Sequence, residues 1–453
     1  MMCLYRACLG LLLCCVALST FTQIQAAEAL HERIDAVLAQ TQAGPSAPLA
    51  GDAEFLRRVY LDLTGRIPSA EAARSFLEDK SPDKRQKLID KLLDSPANDR
   101  HLAKVFDVMF MERRTDKHVK GPEWDAYLLK SIQENKPYNQ LAREILAADG
   151  VDPKLRAPVK FYLDREDMAV NLVTRDSARV FFGRDIECAQ CHDHPLISDY
   201  EQSEYYGLLA FLNRSSLFQA DKKKPAVLAE KAEGTAKFKS VFTGYEGETR
   251  PRLPGAKEID EPTFKKGDEY KVKPAKNVRP VPKYSRREKF AALATDGTNA
   301  AFNKNIANRL WAVMMGRGLV EPVDLHHSEN PPASPELLEL LTKEFVAMNY
   351  DIKGFLKQIA LSKTYQRSFQ LPKSFEGNLT IARQELPKLE SQKKQFEDKA
   401  ASFDKPIEEL DATWKKQLEA AKPLKEKAKT LQTQVAALEK KHTAAKAALE
   451  KLQ

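Results

Sequence analysis

Cys188-Ala189-Gln190-Cys191-His192-Asp193-His194-Pro195 puts two thiols and two imidazoles within seven residues. A solvated loop has no reason to carry so many soft and borderline metal ligands. Of the six cysteines, Cys3, Cys8, Cys14 and Cys15 lie in an apolar N-terminal stretch. A chain processed after that stretch holds only Cys188 and Cys191, so any sulfur chemistry happens at this one place. A chain of 453 residues can bury full cores without disulfides or metals, so stability does not explain the pair.

Cys-x-x-Cys-His is the attachment signature of c-type haem. Two thiols three residues apart reach the two vinyl groups on one porphyrin edge, and the histidine after the second thiol stands under the iron. Cys188 and Cys191 would carry the thioethers and His192 the iron. His194 cannot reach the opposite face of the same haem, so a second axial ligand comes from elsewhere or is absent. His101, His118, His326, His327, Met109, Met111 and Met168 are the candidates, and spacing selects none. Two other chemistries use the same residues. One is a compact zinc or iron site of Cys188, Cys191, His192 and His194, whose crowding calls for an outside ligand such as Asp193 or a distant histidine. The other is a dithiol–disulfide couple with His192 lowering the thiol pKa, or a plain local disulfide. Asp185 and Glu187 beside the cysteines are acid–base candidates or solvated charges. No Gly-x-Ser-x-Gly elbow, His-Glu-x-x-His pair or phosphate loop occurs, so the common hydrolase and nucleotide signatures are missing.

Residues 1–27 read as a secretory signal: one positive charge, an apolar run over 9–18, then small residues up to Ala26-Ala27. Export to the periplasm or beyond is the expectation, in an oxidising compartment suited to covalent haem attachment. No later segment reaches the roughly 18 apolar residues of a membrane helix, so no span is expected in the mature chain.

The elements around the motif are helical. Apolar spacings of three and four predict helices over 29–40, 54–63 with Asp52 as N-cap, 71–77 capped by Ser69, and 82–94 opened by Pro82. Further helices are predicted over 101–111, 123–134, 139–148, 168–182 stopped by Gly183, and 202–212. Residues 213–285 are rich in Pro, Gly, Lys and Arg, with short runs at 237–243 and 269–272 that suit a small β element. From 221 to 289 there are 19 Lys and Arg against 11 Asp and Glu, an excess equal to the whole chain's net charge of +8. Such a window is a solvated basic insertion or a site for an anionic polysaccharide, and nucleic acid is not expected for an exported protein. Helical spacing resumes over 289–295, 303–315, 334–348 and 352–361. In the tail, Ala421, Leu424, Ala428, Leu431, Val435, Leu438, His442, Ala445, Leu449 and Leu452 form a heptad seam suited to self-association, with His442 as a register-setting residue. Pro387, Pro406 and Pro423 limit its uninterrupted helix to about the last 30 residues.

The stretches Phe55-Leu56-Arg57-Arg58-Val59-Tyr60-Leu61-Asp62-Leu63-Thr64-Gly65-Arg66-Ile67-Pro68 and Phe181-Phe182-Gly183-Arg184-Asp185-Ile186-Glu187-Cys188-Ala189-Gln190-Cys191-His192-Asp193-His194-Pro195 resemble the planctomycete cytochrome C domain family of secreted proteins of unknown function. Asn305-Ile306-Ala307-Asn308-Arg309-Leu310-Trp311, Gly316-Arg317-Gly318-Leu319-Val320-Glu321-Pro322, Asn330-Pro331-Pro332 and Ser362-Lys363-Thr364-Tyr365 resemble its usual partner domain. The resemblance spans most of 30–370 and implies a haem-like motif without an established activity. The charged helical tail stands where that partner domain usually continues, so the domain reads as incomplete at its C-terminal end. Asp324 is followed by Leu325-His326-His327, where relatives usually show a second acidic residue.

The expectation is a mainly α protein: signal peptide 1–27, helical cytochrome-like domain 28–212, basic connector 213–285, second helical domain 286–370 and coiled-coil tail 371–453. Its function reads as an exported c-type-cytochrome-like redox or electron-transfer protein with haem c, meeting redox partner proteins or envelope components. The alternative is a non-enzymatic cell-envelope binding or scaffold protein whose motif binds zinc or iron or closes a disulfide.

Overall fold

The computed structural model describes residues 28–450 apart from 42–43, 113, 115, 371 and 373–374. The predicted leader lies outside the described residues, as does Leu452 of the heptad seam. The chain is mainly helical, and the helices fall where the apolar spacing puts them. They are α1 (Leu30–Thr41), α2 (Asp52–Thr64), α3 (Ala70–Glu78), α4 (Lys84–Leu93), α5 (Pro96–Met111), α6 (Gly121–Gln133) and α7 (Tyr138–Ala147). A short α8 (Lys160–Leu163) leads to α9 (Val170–Phe182) and α10 (Gln202–Leu212).

Local chemistry sets the ends. Ser69 and Ser95 accept backbone N–H groups from Ala72 and Asn98 and so start α3 and α5. Gly65 and Gly183 end α2 and α9 in the left-handed region, at φ 67° and 65°, where a side chain is disfavoured. Asp52 departs from the cap assigned to it. It lies inside α2's first turn, and its carboxylate instead pairs with Lys84 and Arg85 at 2.6 and 2.8 Å, tying α2 to α4. Pro82 likewise stays outside α4, because Ser81 turns back onto the Asp79 carboxylate and delays the helix to Lys84.

The small β element within 213–285 is three antiparallel pairs: β1 (Ser215–Phe218) with β2 (Val227–Glu230), β3 (Ala236–Lys239) with β4 (Glu246–Thr249), and β5 (Tyr270–Val272) with β6 (Val281–Pro282). The buried Glu230 and the half-buried Glu261 fasten this region to the next helix. Glu230 accepts the Ser285 hydroxyl and the Arg286 backbone N–H, both at 2.6 Å, and Glu261 pairs with the buried Arg286. Then follow α11 (Arg286–Ala294), α12 (Ala300–Met315), α13 (Pro335–Ala347) and α14 (Ile352–Leu361).

Where the sequence reads as two helical bodies with a connector between them, residues 28–370 pack as one unit. Helix α11 lies on α7, α12 on α9, α13 on α1, and α14 on α1 and α4. The aromatic core runs across the join: Phe106, Phe110 and Phe181 stack in sequence, Phe106 meets Tyr138, and Tyr138 stacks on Phe302 of α12 at 5.5 Å. Each such ring contributes about 1.5–3 kcal/mol by leaving water.

The tail is a second unit, made of α15 (Phe375–Ala401) and α16 (Asp404–Glu450). Both run through a proline, Pro387 and Pro423 respectively, which corrects the expectation that prolines confine the uninterrupted helix to the last 30 residues. Pro406 falls in the first turn of α16, where its missing N–H has no helical partner to lose. An internal proline removes one ladder bond, and the Lys-, Glu- and Ala-rich flanks propagate well enough to carry the helix past it. Leu424, Leu431, Val435 and Leu438 of the seam are more than half exposed.

Candidate functional site

Helix α9 delivers the chain to the motif. At its end the Arg184 N–H bonds back to the Ala178 carbonyl, and the next residues run beside a segment from the second half of the chain. Arg184 and Leu325 form an antiparallel bridge; Asp185 N–H donates to the Asp324 carbonyl (3.0 Å) and His326 N–H to that of Gly183 (2.9 Å). The Arg184 guanidinium, paired with Glu204 of α10 at 2.8 Å, completes the anchor.

The cysteines follow on a single 3-10 turn, Cys188–Gln190. Ile186 and Ala189 are buried beneath it. In this geometry residues i and i+3 eclipse, so Cys188 and Cys191 share a face, and that face is exposed. Both thiols are unpaired. The carbonyls of the turn are held from behind: Gln190 accepts the Tyr206 hydroxyl at 3.1 Å, and Cys191 accepts Val241 N–H at 3.0 Å.

Hydrogen bonds separate the two imidazoles. His192 Nδ1 lies 2.7 Å from the Asp193 carbonyl oxygen. A carbonyl only accepts, so Nδ1 carries the proton and Nε2 keeps its lone pair, the state a metal-binding imidazole needs. His194 is the reverse. Its Nδ1 accepts two backbone N–H groups, from Leu196 at 3.1 Å and Ile197 at 3.0 Å. That role places the proton on Nε2, so His194 closes the turn and in this state has no free lone pair to offer a metal. Asp193 is engaged too, with Oδ1 accepting Gln202 N–H at the start of α10, at 2.8 Å. Among the described residues no three His, Cys, Asp or Glu side chains converge as a metal site.

The flanking acids also differ. Glu187 forms an ion pair with Arg175 of α9. Asp185 has its pKa raised by loss of water and by the neighbouring Asp324 carboxylate.

Exposed apolar side chains lie in the segments beside the turn. Leu196 (80 % exposed), Val241, Phe242 and Tyr245 project into solvent, and the Phe242 ring lies 4.5 Å from that of His192. Val241 and Phe242 sit between β3 and β4 within the basic window, where charge and proline dominate the sequence pattern. The adjacent pair Val241-Phe242 was the one signal there.

The candidate second ligands scatter. His101 donates to the Asp62 carbonyl beside Gly65, His118 meets Asp167 at 2.5 Å, Met111 accepts from Arg165, and Met109 and Met168 belong to the core. His326 and His327 alone among them belong to the segment bracing the motif. Tyr200 stands between the sites, its ring 6.1 Å from His194 and 5.4 Å from His327, its hydroxyl on the His326 carbonyl. Burial, together with Arg309, Arg184 and Lys304, pushes His326 down to about 4. Its Nε2 lies 3.4 Å from the Asn308 amide, while the buried Nδ1 of His327 has no hydrogen-bond partner. The seam residue His442 is exposed on α16.

Two family models match this chain. Residues 29–216, which contain the whole motif, match PSCyt2, a protein of unknown function (DUF1549). The region that carries the cysteine turn is similar to this family. Residues 286–438 match its usual partner PSD1, a protein of unknown function (DUF1553), and that match continues past α14 into the helical tail. No curated protein and no solved structure matches. The bridge between residues 184 and 325 therefore joins the PSCyt2 region to the PSD1 region at the base of the cysteine turn.

Proposed function

We propose that this PSCyt2–PSD1 chain is an exported c-type haem protein whose role is electron transfer. The observation that carries the reading is the sorting of the motif's histidines. His192, directly after the turn with its two unpaired, exposed thiols, carries its proton on Nδ1 and keeps the Nε2 lone pair, while His194 uses its acceptor on the backbone. These residues fit the group: Cys188 and Cys191 would carry the thioethers and His192 the iron. Bound haem would supply one-electron redox chemistry.

The chain's own residues orient and shield that place. The Asp193 carbonyl fixes the His192 ring and its tautomer, as the outer partners of ligand imidazoles elsewhere do. Phe242, Val241 and Leu196 supply apolar surface that would keep water from one side of a macrocycle. The buried Ile186 and Ala189 keep the turn from shifting when it is loaded.

The test is a pyridine haemochrome spectrum of the chain produced with a c-type haem maturation system. Covalent haem that survives acid–acetone extraction is the expected result, lost in the double substitution Cys188→Ala, Cys191→Ala. Folded protein without covalent haem would overturn the reading.

A further inference from the structure

We propose that a second site, distinct from the cysteine turn, binds a cyclic carboxylate. A cavity of about 780 Å³ lies where the loop before α6, the turns after α7 and the β1–β2 hairpin meet. That volume suits a small organic ligand. Its apolar walls come from Val151, Pro153, Phe218, Pro225 and Val227, a surface on which a flat or puckered ring can lie.

The polar groups at its edge are mostly cationic. Lys120, Arg156, Lys224 and Arg279 line it, against the single carboxylate of Glu123. Arg279 is already paired with Asp149 at 2.7 Å, and His118 is held by Asp167. Among the described residues Lys120 and Lys224 have no ion pair, and Arg156 has half of its fork unused. Its Nη2 donates to the His118 carbonyl at 3.2 Å, whereas its buried Nη1 has no partner. An unpaired buried guanidinium N–H costs free energy that a carboxylate oxygen would recover.

The backbone makes room for that nitrogen. Gly150, in the left-handed region at φ 77°, lies so close that a Cβ there would fall 2.4 Å from Arg156 Nη1. Only glycine leaves the guanidinium where it stands. Three cations outside any ion pair among the described residues, around an apolar floor, select a ring bearing one negative charge. A neutral ring leaves Nη1 unsatisfied, and a bare inorganic anion leaves the floor wet.

Calorimetric titration of the full chain tests this with two probes, benzoate for an aromatic ring and galacturonate for a sugar. Benzyl alcohol and galactose are the neutral controls. Saturable binding of one acid is expected, about tenfold weaker for its neutral counterpart and for Lys224→Ala, and lost in Arg156→Met. Which acid binds identifies the ring. If Arg156→Met fails to fold, Lys224→Ala and Lys120→Ala, both at exposed positions, decide the matter. Absence of saturable binding by either acid, equal binding of the neutral analogues, or unchanged affinity in the lysine variants would overturn the proposal.

Discussion

Substituting His194 separates its backbone role from a ligand role. In His194→Ala the N–H groups of Leu196 and Ile197 lose their acceptor. Each such bond is worth about 0.5–1.5 kcal/mol net, and water reaches this loop, so the loss is about 1–2 kcal/mol. For a unit of this size that lowers the melting temperature by about 1–3 °C. Asparagine offers an Oδ1 at nearly the same place and closes Asx-type turns by the same bond. His194→Asn is therefore expected to recover most of the loss, whereas a ligand role would leave asparagine as damaging as alanine. Melting is followed by circular dichroism, and the haem adduct proposed above, where it forms, by its Soret band. That band should stay put in both His194 variants and shift in His192→Asn, where Nε2 is gone. A Soret shift in His194→Asn as large as that in His192→Asn would refute the assignment, as would an unchanged melting temperature in His194→Ala.

Acid should act through His326. It is neutral in the fold, with a pKa of about 4 against 6.5 when free, so its contribution is whole above pH 6.5 and is lost as pH falls from 6.5 toward 4. Linkage puts the loss at up to about 3 kcal/mol, and urea unfolding at pH 7 and pH 4.5 should show a steeper decline for the wild type than for His326→Gln. Asp176 holds the fully buried Arg165 at 2.5 Å, with Arg114 and Arg179 on its other contacts. Asp176→Asn strands that guanidinium and should cost about 3–5 kcal/mol in denaturant unfolding, while Asp167→Asn at the exposed Lys117 pair should cost under about 1. The exposed Leu424, Leu431 and Leu438 predict self-association of the tail, visible by sedimentation and abolished by Leu431→Lys with Leu438→Lys.

Most of the helices were legible because amphipathic spacing and local caps are short-range properties. Leu30 and Ile34, Phe55, Leu56 and Val59, and Leu88, Ile89, Leu92 and Leu93 are buried in the structure as their periodicity requires. At Asp52 a distant partner prevails over a local rule. Asp52 has a cap residue's chemistry, but the two cations of α4 are stronger partners than a backbone N–H. The cysteine turn was legible as chemistry and illegible as geometry. Its two histidines are two residues apart and identical in kind, and only the direction of their hydrogen bonds separates them. Phe242 beside His192 and Tyr200 beside His327 depend on strand pairing and on chain crossings that no spacing encodes.

The antiparallel bridge at Arg184 and Leu325 bears on how such chains can be rearranged by evolution. The cysteine turn lies in one family's sequence, yet its footing is shared with the other's. Asn305 also donates to the Val180 carbonyl and Arg309 to that of Arg179, so the last turn of α9 is completed from α12. A gene that kept residues 29–216 and exchanged the rest for an unrelated module would inherit the cysteines and lose the floor on which they stand. The heritable unit is the pair.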